Sequence, residues 1–115
     1  MTDPVYPAAT HDIGARRREL APDTHQAVDE CSRQVFAAGG LPPKSKQLIA
    51  VAVAHATQCP YCIIGHAKLA DRAGAGNPEI MEAIWVAAGI RAGGAFAHST
   101  VALHTLAAYD HEHLA

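Results

Sequence analysis

The chain has 115 residues and a formal net charge of −2; 50% of its residues are apolar and only 5% are aromatic. This length suits one domain with one modest core, and the charge gives no electrostatic reason to expect nucleic acid as a partner. No uninterrupted apolar run approaches the roughly 20 residues that span a bilayer, and residues 1–4 carry no basic or apolar signal region. We therefore expect a cytoplasmic protein with no membrane partner.

Residues 1–22 are predicted to form an irregular N-terminal arm, because Pro4, Pro7 and Pro22 interrupt a stretch of scattered polar residues. At most a short helical turn is expected within it, over Ile13–Leu20. Residues 23–115 are predicted to form the single folded domain.

That domain is predicted to be all-α, with about five to six helices, because its apolar residues recur at helical spacing and no strand-like alternation occurs. Proline in first turns and glycine after last turns set the boundaries. The predicted helices run from about Asp23 to Ala38, Leu41 to Thr57, Cys59 to Ala73, Asn77 to Gly93 and Ala95 to Tyr109.

Alanine is by far the most frequent apolar residue, so the core has few large side chains, and such a domain is expected to bury further surface by self-association. Cys31 falls on the apolar face of the first predicted helix, beside Val28 and Val35. Since free cysteine is among the residues most often buried, we predict that Cys31 is a core residue.

The most informative motif is Cys59-Pro60-Tyr61-Cys62 followed by His66, a Cys-x2-Cys-x3-His spacing. On a helix, the two cysteines and His66 fall within roughly 60° of one another. The start of a helix at Pro60 favours a thiolate, because unpaired N–H groups and the positive dipole end lie there. His66 follows Cys62 by one turn and can exchange a proton with it. The pattern indicates a redox-active cysteine pair.

Two other interpretations of the motif stay open. A structural zinc site needs four ligands, and His55 or His98 would have to complete the set. The three side chains could also simply pack together. We favour the redox site, and we expect no bound metal and no bound cofactor.

The segments Leu41–Ala50 and Thr57–Cys62, followed by His66, resemble the AhpD-like alkylhydroperoxidases of the carboxymuconolactone decarboxylase superfamily. The resemblance runs from about residue 28 to residue 110. The motif of that family is glutamate, eleven residues, cysteine, two residues, cysteine, three residues, histidine, which is more specific than the cysteine pair alone.

The resemblance implies an all-helical, obligate homo-oligomer, a trimer or hexamer, that reduces hydroperoxides and is recharged by an external dithiol donor. By the same resemblance, Cys62 attacks the peroxide and becomes a sulfenic acid, and Cys59 condenses with it to a disulfide. His66 belongs to the proton relay.

Gln47 stands where the family has its glutamate. An amide can orient a hydrogen bond but cannot accept a proton at neutral pH, so we expect weak activity or a substitute group such as His98 or Glu30. In one straight helix Gln47 and Cys59 would lie about 18 Å apart. They can meet only if the chain reverses near Pro60.

Two alternative functions remain. One is a non-catalytic redox sensor or disulfide-exchange protein, in which the disulfide alters assembly. The other is an enzyme of the carboxymuconolactone decarboxylase type that uses a cavity and histidines. The decarboxylase branch of the superfamily generally lacks the cysteine pair, so the resemblance favours the peroxidase.

Overall fold

The structure, a computed structural model, describes residues 5–114 and the side chains of residues 5–111. The expectation about residues 1–4 therefore lies outside the described part, as does Ala115. Within it there are five α-helices and no strand, which confirms the all-α prediction. The helices are α1 (His11–Leu20), α2 (Pro22–Phe36), α3 (Pro43–Ala56), α4 (Pro60–Arg72) and α5 (Asn77–Leu114).

The N-terminal arm is more regular than predicted, because α1 is a full helix of 10 residues. Thr10 caps it by accepting a hydrogen bond from the backbone N–H of Ile13 at 3.3 Å. Asp12 in the first turn and Arg17 and Arg18 in the last turn complement the helix dipole. These local signals were present in the sequence and outweigh the flanking prolines. The division of the chain after residue 22 stays a prediction.

The predicted break between the second and third helices is present, and the chain reverses there between α3 and α4, which was the condition for Gln47 to reach the motif. Thr57 ends α3, Gln58 takes a left-handed backbone conformation with φ 57°, and Cys59 is the N-cap of α4. Pro60 then occupies the first helical position, where its missing N–H costs nothing. The two helices consequently pack side by side.

The two predicted C-terminal helices are in fact one continuous helix, α5, of 38 residues. Gly93 and Gly94 do not break it. Glycine ends a helix where its backbone turns to positive φ, as Gly74 does at 96° after α4, but neither Gly93 nor Gly94 does so. Inside a helix, glycine costs only about 1 kcal/mol relative to alanine.

The core lies where α3, α4 and the start of α5 meet. Its centre is Val51, which is fully buried, with Ala70 and Ala75 beside it and Ile80 and Ile84 packed against it. The prediction that Cys31 is a core residue is wrong: its thiol is free and exposed. The reason is that α2 buries none of its residues: Val28 and Val35, on the same face as Cys31, are 63% and 55% exposed.

One helix in the described part of the chain, Asn77–His111 of α5, is long and apolar enough to cross a membrane, judged by length and composition alone. It becomes visible only once the two predicted helices are joined. The absence of a membrane partner therefore stays a prediction.

Glu79 joins the starts of α3 and α5. Its carboxylate accepts hydrogen bonds from Lys44 Nζ at 2.8 Å and from the backbone N–H of Gly76 at 3.0 Å. The Lys44 hydrogen bond, followed by the Gly76 N–H, lowers the pKa of Glu79 below its ordinary value of 4.5. The folded state therefore gains stability from ionised Glu79 above that value, and loses it as the pH falls through the lowered pKa.

We predict that Glu79→Gln lowers the urea midpoint at neutral pH, and that the difference from the wild type shrinks as the pH falls through the lowered pKa of Glu79. Urea unfolding at a fixed protein concentration, followed by circular dichroism at several pH values, measures this. Glu82→Gln removes another carboxylate from the same helix and serves as the control. An equal pH dependence for both variants would contradict the prediction.

Candidate active site

The two cysteines of the motif lie at the start of α4 and are joined by a disulfide. Their Cα atoms are 5.3 Å apart. The backbone N–H of Cys62 donates to Cys59 Sγ at 3.3 Å, so Cys59 caps the helix with its sulfur. Cys62 is exposed and Cys59 half-buried. The pair is therefore reachable from solvent, and the helix start favours negative charge on the capping sulfur once the disulfide opens.

Gln47 contacts His66 directly. Its Oε1 lies 2.8 Å from His66 Nδ1, across the packed pair α3 and α4, and Gln47 is only 9% exposed. Because a carbonyl oxygen can only accept, Nδ1 carries the proton in this hydrogen bond. The other ring nitrogen, Nε2, is then free to accept a proton.

Phe36, at the end of α2, stacks on the ring of His66, with centroids 5.0 Å apart and planes 28° apart. Lys46 holds this end of α2 in place: its Nζ donates to the carbonyl oxygens of Val35 at 2.8 Å and Ala37 at 2.6 Å. These carbonyls are among those a helix end leaves without partners. Lys46 thus sets the position of Phe36 over the imidazole.

A cavity of about 380 Å³ opens beside the cysteine pair. Cys62 and His66 form part of its wall, and most of the remainder is apolar and comes from α2 and α3. Its lining residues are Val35, Phe36, Lys46, Ile49, Ala50, Val53, Ala54, Thr57, Cys62 and His66. A small molecule with an apolar body fits such a wall, with its reactive end at the sulfur.

The structure thus brings together four of the five site residues proposed from the sequence: Cys59, Cys62, His66 and Gln47. It does not bring in His98, which lies on the exposed part of α5, where Nδ1 donates to the carbonyl of Gly94 at 2.8 Å. The catalytic roles of Cys59, Cys62, His66 and Gln47 stay predictions.

The other candidates for completing the site lie elsewhere. Glu30 forms an ion pair with Arg33 and accepts a hydrogen bond from Gln34 on its own helix. The ring of His55 lies 2.8 Å from the carbonyl of Val51. Among the described residues, no three histidine, cysteine or acidic side chains form a group that could hold a metal ion.

Phe36 and Lys46 were missed by the sequence analysis. In the sequence Phe36 is only an apolar position of the first predicted helix, because periodicity alone does not tell which neighbour a helix face meets. Lys46 lies directly before Gln47 in the segment that carries the resemblance, and that position was the one available signal.

The family model of the carboxymuconolactone decarboxylase family matches residues 22–105. The chain belongs to this family. This confirms the resemblance found in the sequence. A protein from Paracoccus denitrificans described as "uncharacterized protein 4 in cox locus" is 52% identical over 110 residues, which cover 96% of this chain and 98% of that protein.

The crystal structures that are similar to this fold include two from other organisms. One, of a protein from Methanobacterium thermoautotrophicum, has a TM-score of 0.69 and 35% identity, over 72% of this chain and 93% of that one. The other, of a carboxymuconolactone decarboxylase family protein from Legionella pneumophila in its apo form, has a TM-score of 0.65 and 31% identity, over 70% of this chain and 75% of that one.

The N-terminal arm touches the motif at Tyr61, the residue before Cys62. Tyr61 donates a hydrogen bond from its hydroxyl to the carbonyl of Pro7 at 2.8 Å. The ring of Tyr6 meets that of Tyr61 edge-on, with centroids 6.1 Å apart. The arm is therefore fixed against the turn that holds the two sulfurs.

We predict that Tyr61→Phe loosens the arm, because it removes a hydrogen bond worth about 1 kcal/mol. Tryptic cleavage in the basic segment 16–18 of α1 should become several-fold faster. Tyr6→Phe is the matched control, since it keeps the ring contact and should leave the cleavage rate unchanged. Equal rates for wild type and Tyr61→Phe would show that this hydrogen bond does not hold the arm.

Proposed function

We propose that this protein is a thiol-dependent peroxidase, which reduces hydroperoxides through a dithiol–disulfide cycle of Cys59 and Cys62. The observation that supports it is the hydrogen bond between Gln47 and His66, which orients an imidazole on the same cavity wall as an exposed, disulfide-forming Cys62. A nucleophile, a base, a group that orients the base and an apolar substrate cavity occur together.

In the oxidative half of the cycle, a hydroperoxide enters the cavity with its O–O group toward Cys62. His66 accepts the thiol proton of Cys62 at Nε2, while Gln47 keeps Nδ1 protonated. The thiolate attacks the terminal oxygen, and the O–O bond breaks. The proton held by His66 passes to the leaving alkoxide, so the products are an alcohol and a sulfenic acid on Cys62.

Cys59 then attacks the sulfur of the sulfenic acid, and water leaves as the disulfide forms. The sum of these steps is one hydroperoxide and two thiols converted to one alcohol, one water and one disulfide. The joined pair in the structure corresponds to the end of this sequence.

An external dithiol returns the pair to its reduced form. One donor thiolate attacks the exposed Cys62, and Cys59 leaves as a thiolate that the N–H of Cys62 stabilises. The second donor thiol then releases Cys62 and leaves the donor as a disulfide. This cycle requires no bound cofactor or metal, and it suits a reducing compartment such as the cytoplasm.

Peroxide consumption with dithiothreitol as the donor tests the proposal. Cys59→Ser and Cys62→Ser should each abolish turnover, because each removes one sulfur of the cycle. Cys31→Ser, which changes the exposed cysteine outside the site, should retain it. Turnover that survives both site substitutions would exclude the proposed cycle. A disulfide that forms without turnover and changes the assembly would instead indicate a redox sensor.

Position 47 gives a second test. We predict that Gln47→Glu raises peroxide turnover about tenfold, because a carboxylate beside Nδ1 favours the imidazolium that forms when His66 accepts the proton. Gln47→Leu should lower it, since Nδ1 then loses its acceptor. Initial rates for correctly folded variants measure both effects. Unchanged rates in both variants would place residue 47 outside the proton relay.

A further inference from the structure

One wall of the cavity beside Cys62 is joined to the rest of the molecule through less buried surface than the wall formed by α3. The α3 wall adjoins the core, where Val51 and Ala54 are buried. The α2 wall consists of Val35 and Phe36, and α2 buries none of its residues. Since little burial fixes the end of α2, the position of this wall depends on directed hydrogen bonds.

Lys46 supplies these hydrogen bonds. Its ammonium donates to the carbonyl oxygens of Val35 and Ala37, the residues on either side of Phe36. The positive charge also lies at the negative end of the α2 dipole. Among the described residues, Lys46 forms no ion pair with a carboxylate. The end of α2 is therefore the partner of the Lys46 charge.

The loop that follows α2 passes beside the same ammonium. A Cβ atom at Gly39 would lie 3.7 Å from Lys46 Nζ, which is an ordinary contact distance. The Gly39 N–H donates to the carbonyl of Leu41 at 3.2 Å, within the loop that leads into α3. Lys46 thus holds the last turn of α2 and adjoins the loop after it.

Phe36 carries the effect of this attachment to the site. Its ring stacks on His66 and shares the cavity wall with Cys62. His66 is oriented separately by Gln47, which accepts the hydrogen bond from Nδ1. Loss of the Lys46 hydrogen bonds would therefore move the apolar wall and leave the Gln47 contact in place. A large apolar substrate touches that wall, whereas hydrogen peroxide has no apolar body to place against it.

We propose that Lys46 is a positioning residue: it holds Phe36 in the cavity wall and thereby sets how tightly a large apolar hydroperoxide is bound. This role rests on the proposed function for its substrate. The competing role for Lys46 is to bind a carboxylate on the substrate. Two of the three N–H groups of its ammonium already donate to main-chain carbonyls, which favours the positioning role.

The first test is proton NMR of the His66 ring in the oxidised protein, with the signals assigned by their loss in His66→Asn. The ring current of the stacked Phe36 shifts these signals. In Lys46→Met they should move to the positions that they have in Phe36→Leu. Lys68→Met removes the same charge from an exposed position on α4 and should leave them unchanged. Identical His66 signals in Lys46→Met and the wild type would overturn the proposal.

The second test measures binding of 2-phenyl-2-propanol, the alcohol that remains when cumene hydroperoxide is reduced, and it needs no turnover. The dissociation constant should rise about tenfold in Lys46→Met, because contact with an aromatic wall is worth roughly that factor. Lys46→Met combined with Phe36→Leu should bind no more weakly than the weaker single variant, since both changes remove the same contact. Additive losses in the double variant would show that Lys46 acts without Phe36, and would overturn the proposal.

Peroxide turnover separates this role from the proposed function. In Lys46→Met the KM for cumene hydroperoxide should rise about tenfold with kcat nearly unchanged, and kcat/KM for hydrogen peroxide should stay within about twofold. A defect confined to hydroperoxides that carry a carboxylate would make Lys46 a ligand for that group and overturn the proposal. A wild type without turnover would reject the peroxidase, while the His66 signals and the binding constants still decide the role of Lys46. Far-UV circular dichroism confirms that each variant is folded.

Discussion

The site depends on one reversal of the chain. Gln47 and His66 are 19 residues apart, and in one straight helix they would be separated by about 28 Å. The turn from Thr57 to Pro60 folds α4 back on α3 and brings the two side chains to 2.8 Å. The left-handed backbone at Gln58 makes the turn, and the same turn leaves Cys59 at the N-cap. This one turn therefore determines both the contact between Gln47 and His66 and the position of the Cys59 sulfur.

The amide at position 47 is consistent with the burial of that position. A buried carboxylate loses much hydration, and it is stable only with charged or multiple partners. Gln47 is nearly buried, and a neutral amide there satisfies His66 Nδ1 without that cost. The orientation of the imidazole is thus kept while the negative charge is absent. A glutamate would both orient the His66 ring and place a negative charge beside it, whereas Gln47 only orients the ring.

The parts of the fold that the sequence could predict are those with local chemical causes. Pro60 and Asn77 mark helix starts in the sequence and in the structure, because Pro60 and Pro78 fit a first helical turn and act within a few residues. Gly93 was misinterpreted because glycine permits a turn but does not impose one. The apolar face of α2 predicts a buried Cys31, but the pattern does not tell that this part of the face, with Val28, stays exposed in the folded chain.

The candidate site shows the same division. The spacing from Cys59 to His66 lies within two helical turns, so the sequence could predict that these side chains share one face. The contact with Gln47 could be anticipated only by resemblance and on the condition that the chain reverses. Phe36 comes from another helix and was not foreseen, because its position depends on how α2 ends against α3.

The hydrogen bonds from Lys46 to the end of α2 have a consequence for motion at the site. Lys46 and Gln47 are neighbours in the first half of α3; one fixes the end of α2 and the other fixes His66. The positions of the Phe36 ring and of the His66 imidazole therefore both depend on the same short segment of α3. A tilt of the start of α3 would move both rings together. The width of the cavity and the orientation of the imidazole would then change together.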